Sequence, residues 1–197
     1  MQQKRIAKIE RKTRETEIKL ELNLEGSGKS DVNTGIGFLD HMLDLWTFHG
    51  LFNLKLKCKG DLEIDAHHTT EDIALALGRA LEEAVGEKKR IFRYGFSYVP
   101  MDEALLRVAL DLSGRPEFVF SGEFLQSSIG NLDTQMIRHF FKSLAMSSRM
   151  TLHMSILYGI NDHHKCEGLF KALGRALRQA VEIDPRRIGV ASSKGIL

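Results

Sequence analysis

The chain is written twice, and this repeat limits its possible folds more than any other feature. Residues 67–85 read "HHTTEDIALALGRALEEAV" and residues 163–181 read "HHKCEGLFKALGRALRQAV", aligned without a gap at a spacing of 163 − 67 = 96 residues. Upstream, "LDHML" around His41 resembles "IRHFF" around His139. Further upstream, "EIKLELNL" sets Ile18, Leu20, Leu22 and Leu24 on one face, and "LLRVALDL" does the same with Leu106, Val108, Leu110 and Leu112. Strict alternation of this length predicts half-buried strands. Each strand leads to a turn glycine, Gly26 or Gly114. A period this long excludes a solenoid. It predicts a duplicated half-domain of strands and two helices, about residues 1–95 and 96–197, in a single α+β domain.

Both "HH" segments read as helix starts, with Asp65 and Asn161 as capping residues before them. Within a helix, His67 and Glu71 are four apart and share a face, as do His163 and Glu167. His68 and His164 then point about 100° away. Adjacent histidines in that geometry serve two different metal ions more easily than one.

The chain has eight histidines, and six occupy repeated positions: His41, His67, His68, His139, His163 and His164. With Glu71 and Glu167 they divide evenly into three imidazoles and one carboxylate per site. That set leaves an octahedral ion with open positions, as a catalytic site requires. A single "HHxxE" is more often a capped, solvated helix start, and His49 and His153 are left under that reading. Recurrence of the same residue types in both halves favours ligands for the other six. The donor types suit several divalent transition metals and select none.

Composition closes other routes. A net charge of +2 with dispersed basic residues marks no nucleic-acid surface. The polar start "MQQKRIAKIERKTRE" lacks a signal-peptide core, and no apolar run is long enough for a membrane span. Two cysteines, Cys58 and Cys166, are too few for a disulfide framework and suggest a reducing cytoplasm.

The stretches "RKTRETEI", "GIGFLDHML", "DLEIDAHHTTEDIALALG", "PMDEAL", "DLSGRP", "HFFKSLA", "NDHHKCEGLFKALGRAL" and "SSKG", in this order, closely resemble imidazoleglycerol-phosphate dehydratase, a family of histidine biosynthesis. The resemblance implies helices sandwiched between two four-stranded sheets, in halves like domain 2 of ribosomal protein S5. It implies two Mn2+ per active site, held by the six histidines and two glutamates. It also implies a homo-oligomer of 24 subunits with active sites between chains. The implied reaction is dehydration of D-erythro-imidazole-glycerol phosphate to imidazole-acetol phosphate. A metal-bound imidazolate and a diazafulvene-like intermediate would make the carbon proton acidic. By the same resemblance Glu15 is the general acid/base and a substrate contact, and Arg93, Arg115, Lys171, Ser193, Lys194 and Gly195 bind substrate. Ala74 and Gly168 depart from the family pattern without touching a ligand position. Two other classes explain the histidines in part. A binuclear metallohydrolase would need a bridging carboxylate or hydroxide and more oxygen ligands. A purely structural metal protein gives Glu15 and the arginines no role.

Overall fold

The computed structural model describes residues 5–196, where the repeat becomes two sheets of identical strand order. In the first, β1 (Ile6–Lys12) and β2 (Thr16–Asn23) form an antiparallel hairpin. Then β3 (Lys29–Asn33), α1 (Gly37–Gly50) and β4 (Asn53–Gly60) make a crossover that lays β3 parallel to β4, and α2 (His67–Val85) follows. The second begins with the hairpin β5 (Tyr94–Met101) and β6 (Ala104–Asp111). After β7 (Glu117–Ser121), a small ribbon of β8 (Ser128–Ile129) and β9 (Leu132–Asp133) precedes α3 (Thr134–Ser147). The crossover ends in β10 (Thr151–Tyr158), parallel to β7, and α4 (Asp162–Val181) follows. The sheet orders are β1-β2-β4-β3 and β5-β6-β10-β7.

Alternation sets the faces. Ile18, Leu20 and Leu22 of β2 are buried and Leu106, Val108 and Leu110 of β6 likewise, as their period of two requires. The buried faces are covered by helices: α1 and α2 lie on the first sheet, α3 and α4 on the second. The helical layers then meet, α1 against α4 and α2 against α3, so the expected sandwich of helices between two four-stranded sheets holds. Phe140 and Phe141 of α3 pack against Phe170 of α4, and Trp46 of α1 packs against Phe52, all fully buried. Each such ring contributes on the order of 2–3 kcal/mol by leaving water. Among the described residues no helix is long and apolar enough to cross a membrane.

The glycine of the shared "ALGRAL" explains the close helix crossings. A Cβ at Gly78 would sit 2.7 Å from Ser147 Cβ and 2.8 Å from the Leu144 carbonyl oxygen of α3. A Cβ at Gly174 would sit 2.5 Å from the Trp46 carbonyl oxygen of α1. Only a residue without a side chain lets these backbones approach so closely. This contact fixes the register of each helix pair, and register decides which histidines face one another.

The outer faces differ. The first sheet carries surface ion pairs such as Lys8 with Glu21 and Lys12 with Glu17. The second exposes Tyr94, Phe96 and Tyr98 along β5, at 56%, 64% and 53% of their full surface.

Candidate metal centres

Two groups of metal-ligating side chains assemble at the helix pairs, each drawing on both halves. His41 of α1 meets His163 and Glu167 of α4. Glu167 Oε2 lies 3.1 Å from His163 Nε2 and 3.6 Å from His41 Nε2. At the second pair, His67 and Glu71 of α2 meet His139 of α3. Glu71 Oε1 lies 3.3 Å from His139 Nε2, and its Oε2 lies 3.7 Å from His67 Nε2. In each group the donor atoms lie within 4.8 Å of one another. The i, i+4 spacing read from the sequence puts the Glu beside the first His of each pair, as one helix face demands.

The donor chemistry fits a divalent transition metal. His139 Nε2 is buried with no hydrogen-bond partner among the described residues, an uncomfortable state for a ring nitrogen unless a cation takes its lone pair. Glu167 is held ionised. Burial pushes its carboxyl up, but the bonded Lys171 ammonium and His163 more than reverse this and keep it below the usual carboxylate range. Lys171 has no counterpart in the other group, where the matching position is Leu75.

Each group holds two histidines and one glutamate, one imidazole short of the expected set. His68 and His164 are the ones missing, because neighbours on a helix point about 100° apart. His68 turns instead to Asp61, with Nδ1 2.9 Å from Oδ2, and its Nε2 lies 3.7 Å from Glu15 Oε1. His164 Nδ1 lies 2.8 Å from Glu103 Oε2, with Asp102 Oδ2 3.8 Å from Nε2. The hydrogen bonds to Asp61 and Glu103 raise the pKa of the two imidazoles against the effect of burial. Sequence reading assigns no role to Asp61 or Glu103. His164 and Glu103 are 61 positions apart, and only the fold joins them.

At the helix starts, Asn161 Oδ1 accepts from His163 N at 2.9 Å, as a capping residue should. Asp65 Oδ1 accepts from His67 N at 2.6 Å, but the cap position itself is Ala66, one residue later than the sequence suggests. Ala66 already has near-helical backbone, with φ −88° and ψ 0°, so Asp65 is pushed outside the helix.

Glu15 sits in the turn between β1 and β2. Thr13 Oγ1 accepts from Glu15 N at 3.1 Å and Thr16 N at 3.0 Å, which fixes the turn and leaves the Glu15 carboxylate half-exposed. Of the expected substrate contacts, Arg93, Arg115, Ser193 and Lys194 line one open pocket of about 590 Å3. Gly195, beside them in sequence, has φ +77°, where a side chain would be strained. Arg93 is largely committed already: Nε and Nη2 donate to Asp111 at 2.6 and 2.8 Å, and Nη1 to the Ala191 carbonyl at 2.7 Å. Arg115 N donates to Ser113 Oγ at 3.1 Å, pinning the turn that aims its guanidinium. Lys171 lies elsewhere, on Glu167.

The chain has close relatives among known proteins. The profile of the imidazoleglycerol-phosphate dehydratase family matches residues 34–177. The chain is 56% identical over 189 residues to the imidazoleglycerol-phosphate dehydratase of Acetivibrio thermocellus, covering 96% of this chain and 97% of that one. It is 55% identical over 192 residues to the enzyme of Clostridium botulinum, covering 98% of both. Its fold matches the crystal structure of imidazoleglycerol-phosphate dehydratase from Staphylococcus aureus with a TM-score of 0.82 at 38% identity, covering 90% of this chain and 99% of that one. The Pyrococcus furiosus structure, a complex with (S)-C348, matches equally, with a TM-score of 0.82 at 34% identity over 96% of this chain and 100% of the other. The chain therefore belongs to the imidazoleglycerol-phosphate dehydratases, hydro-lyases of histidine biosynthesis.

Proposed function

We propose that this chain dehydrates D-erythro-imidazole-glycerol phosphate in active sites that hold two Mn2+ each and are completed between copies of the chain. The observation that carries this reading is the division of six histidines: four converge on Glu71 and Glu167, and two turn away, each with Nδ1 bonded to a carboxylate. His41, His163 and Glu167 would hold one ion and His67, Glu71 and His139 the other. His68 and His164 would complete the sets of other copies. Bound Mn2+ would supply Lewis acidity that stabilises the deprotonated imidazole ring of the substrate.

The chain's own side chains do the rest. With that ring deprotonated, the hydroxyl on the neighbouring carbon would leave as water on a proton supplied by a side chain, and the proton on the next carbon would become acidic. Glu15 is half-exposed and lies 3.7 Å from the nearest ring nitrogen of His68, so its carboxyl can first give a proton to the leaving hydroxyl and, once ionised, take the proton from the next carbon. Glu71 and Glu167 face histidines and serve as ligands. Arg115, Ser193 and Lys194 offer donors for the phosphate, with Arg93 shaping their pocket and Gly195 admitting a close backbone. Lys171 orients Glu167 and remains within reach of substrate at that group.

Distance also favours shared sites. Arg93 N donates to the Ala180 carbonyl near the end of α4, whereas His163 begins that helix. At 1.5 Å per residue, His163 and Glu167 lie about 20–25 Å along α4 from Ala180, where the pocket's Arg93 is anchored. A three-carbon chain between ring and phosphate does not span that gap within one copy. The exposed aromatic strip of Tyr94, Phe96 and Tyr98 is the kind of surface that self-assembly covers, in keeping with a 24-subunit oligomer. The matching sheet orders support a single catalytic domain of two repeated halves, about 1–95 and 96–197. Unpaired Cys58 and Cys166 accord with the cytoplasm. A binuclear hydrolase finds less support, because the two groups share no carboxylate that could bridge a metal pair.

Metal-stripped protein titrated with Mn2+ and assayed for imidazole-acetol phosphate tests this reading. Turnover should return as about two ions bind per chain, the count expected of a paired site. Complete metal binding without turnover would contradict it.

A further inference from the structure

His68 and His164 each meet a carboxylate that the dehydration itself does not use. Asp61 Oδ2 lies 2.9 Å from His68 Nδ1, and Glu103 Oε2 lies 2.8 Å from His164 Nδ1. A neutral imidazole carries one proton, and an ionised carboxylate can only accept it in a hydrogen bond. The proton therefore stays on Nδ1, and the lone pair stays on Nε2. The groups nearest each Nε2, Glu15 at 3.7 Å and Asp102 at 3.8 Å, lie beyond hydrogen-bond distance and do not compete.

We propose that Asp61 and Glu103 are positioning residues that lock the tautomer and direction of His68 and His164, so that each presents a free Nε2 lone pair to a metal centre of another copy. This rests on the reading above that these two histidines complete sites between chains. A carboxylate behind a ligating histidine both orients the ring and makes it a stronger donor, and its loss costs about 10–100-fold in metal affinity.

Glu103 makes the case sharp because its two oxygens are already distributed. Oε1 accepts from Ile160 N at 3.0 Å and Asn161 N at 2.7 Å, while Oε2 takes the His164 ring. In Glu103→Gln the amide oxygen must stay with the two backbone donors. Its NH2 group then faces Nδ1 and donates, which moves the ring proton to Nε2 and removes the lone pair the metal needs. The fold keeps its backbone bonds, so the substitution changes the tautomer and little else.

The test compares full-length wild type, Glu103→Gln and Asp61→Leu in two measurements. Nitrogen-15 histidine spectra of metal-stripped protein should show His164 protonated on Nδ1 in wild type and on Nε2 in Glu103→Gln. Titration with Mn2+, followed by calorimetry, should show affinity about 10–100-fold weaker in each variant, with unchanged circular dichroism. A wild-type tautomer in Glu103→Gln, or Mn2+ affinity equal to wild type in both variants, would overturn the proposal. Failure of the wild type itself to bind Mn2+ would instead overturn the metal reading, while the tautomer measurement, made without metal, still decides the role of Glu103.

Discussion

The two hairpin turns at the ends of the sheets occupy the same place in the two halves and treat their glutamates in opposite ways. Between β5 and β6, Glu103 is fully engaged by Ile160 N, Asn161 N and His164, bonds that pull its pKa down to about 2. Between β1 and β2, Glu15 makes no such bonds and is half-exposed. The first turn is tied down by other groups. Arg11 Nη2 reaches Asp72 Oδ1 at 2.6 Å, and Thr16 Oγ1 donates to the other Asp72 oxygen. The position matching Asp72 in the second half is Gly168, where a Cβ would sit 2.2 Å from Leu106 Cδ2. No side chain fits there, so that turn is held by its own glutamate. The repeat thus places two acids at equivalent positions, and with the first hairpin anchored through Asp72 the Glu15 carboxylate is left unanchored.

The contrast can be broken at several points. Glu15→Gln should lower kcat by about 10²–10⁴-fold, the usual weight of general acid/base catalysis, while thermal unfolding stays that of the wild type. A parallel loss of stability would mean that Glu15 is structural like its counterpart. The start of α4 carries a second asymmetry. Asp162 accepts from Leu125 N and Gln126 N at 2.7 Å each and from Lys165 Nζ at 2.8 Å, with the Asp162 and Lys165 side chains both deeply buried, and Ala66 and Thr69 occupy the matching positions at the start of α2. Lys165→Met leaves the Asp162 charge without its cation and should cost about 3–5 kcal/mol in urea denaturation. Asp72→Ala strands the donors of Arg11 and Thr16 and should cost about 1–3 kcal/mol, with a lowered kcat as the Glu15 turn loosens. If kcat holds, the turn does not depend on Asp72. Smallest of all, Leu75→Lys would give Glu71 the neighbour that Glu167 has in Lys171. Its effect on stability should stay under about 1 kcal/mol, as for a half-exposed ion pair, and a Mn2+ titration would show whether the two ions become more alike.

The layered fold was largely legible in the sequence because it rests on local signals. Strand alternation at Ile18–Leu24 and Leu106–Leu112 and the repeated "ALGRAL" helices carry it, and the duplication states that the pattern occurs twice. The pairing of each "HHxxE" histidine with its glutamate was legible for the same reason, a spacing of four on one helix. Partner choice was not. His41 meets His163 rather than a histidine of its own half because Gly174 seats α4 on α1, a contact between distant segments. The clamps of Asp61 and Glu103, and the placement of Lys171 on Glu167 away from the pocket of Arg115 and Lys194, likewise depend on tertiary packing that no spacing rule encodes. The expected third imidazole of each set is absent from its group within one chain, since a helix cannot aim two consecutive side chains at one point.

Sharing of ligands between copies is tested most directly by mixing two inactive variants. Glu167→Gln would spoil a group within its own chain, and His164→Asn would spoil the imidazole proposed to serve another copy. Refolded together with Mn2+, the pair should regain dehydratase activity, because intact metal groups from one chain can then combine with an intact His164 from the other. Co-assembled oligomers that contain both chains and remain as inactive as either alone would contradict sites built between copies.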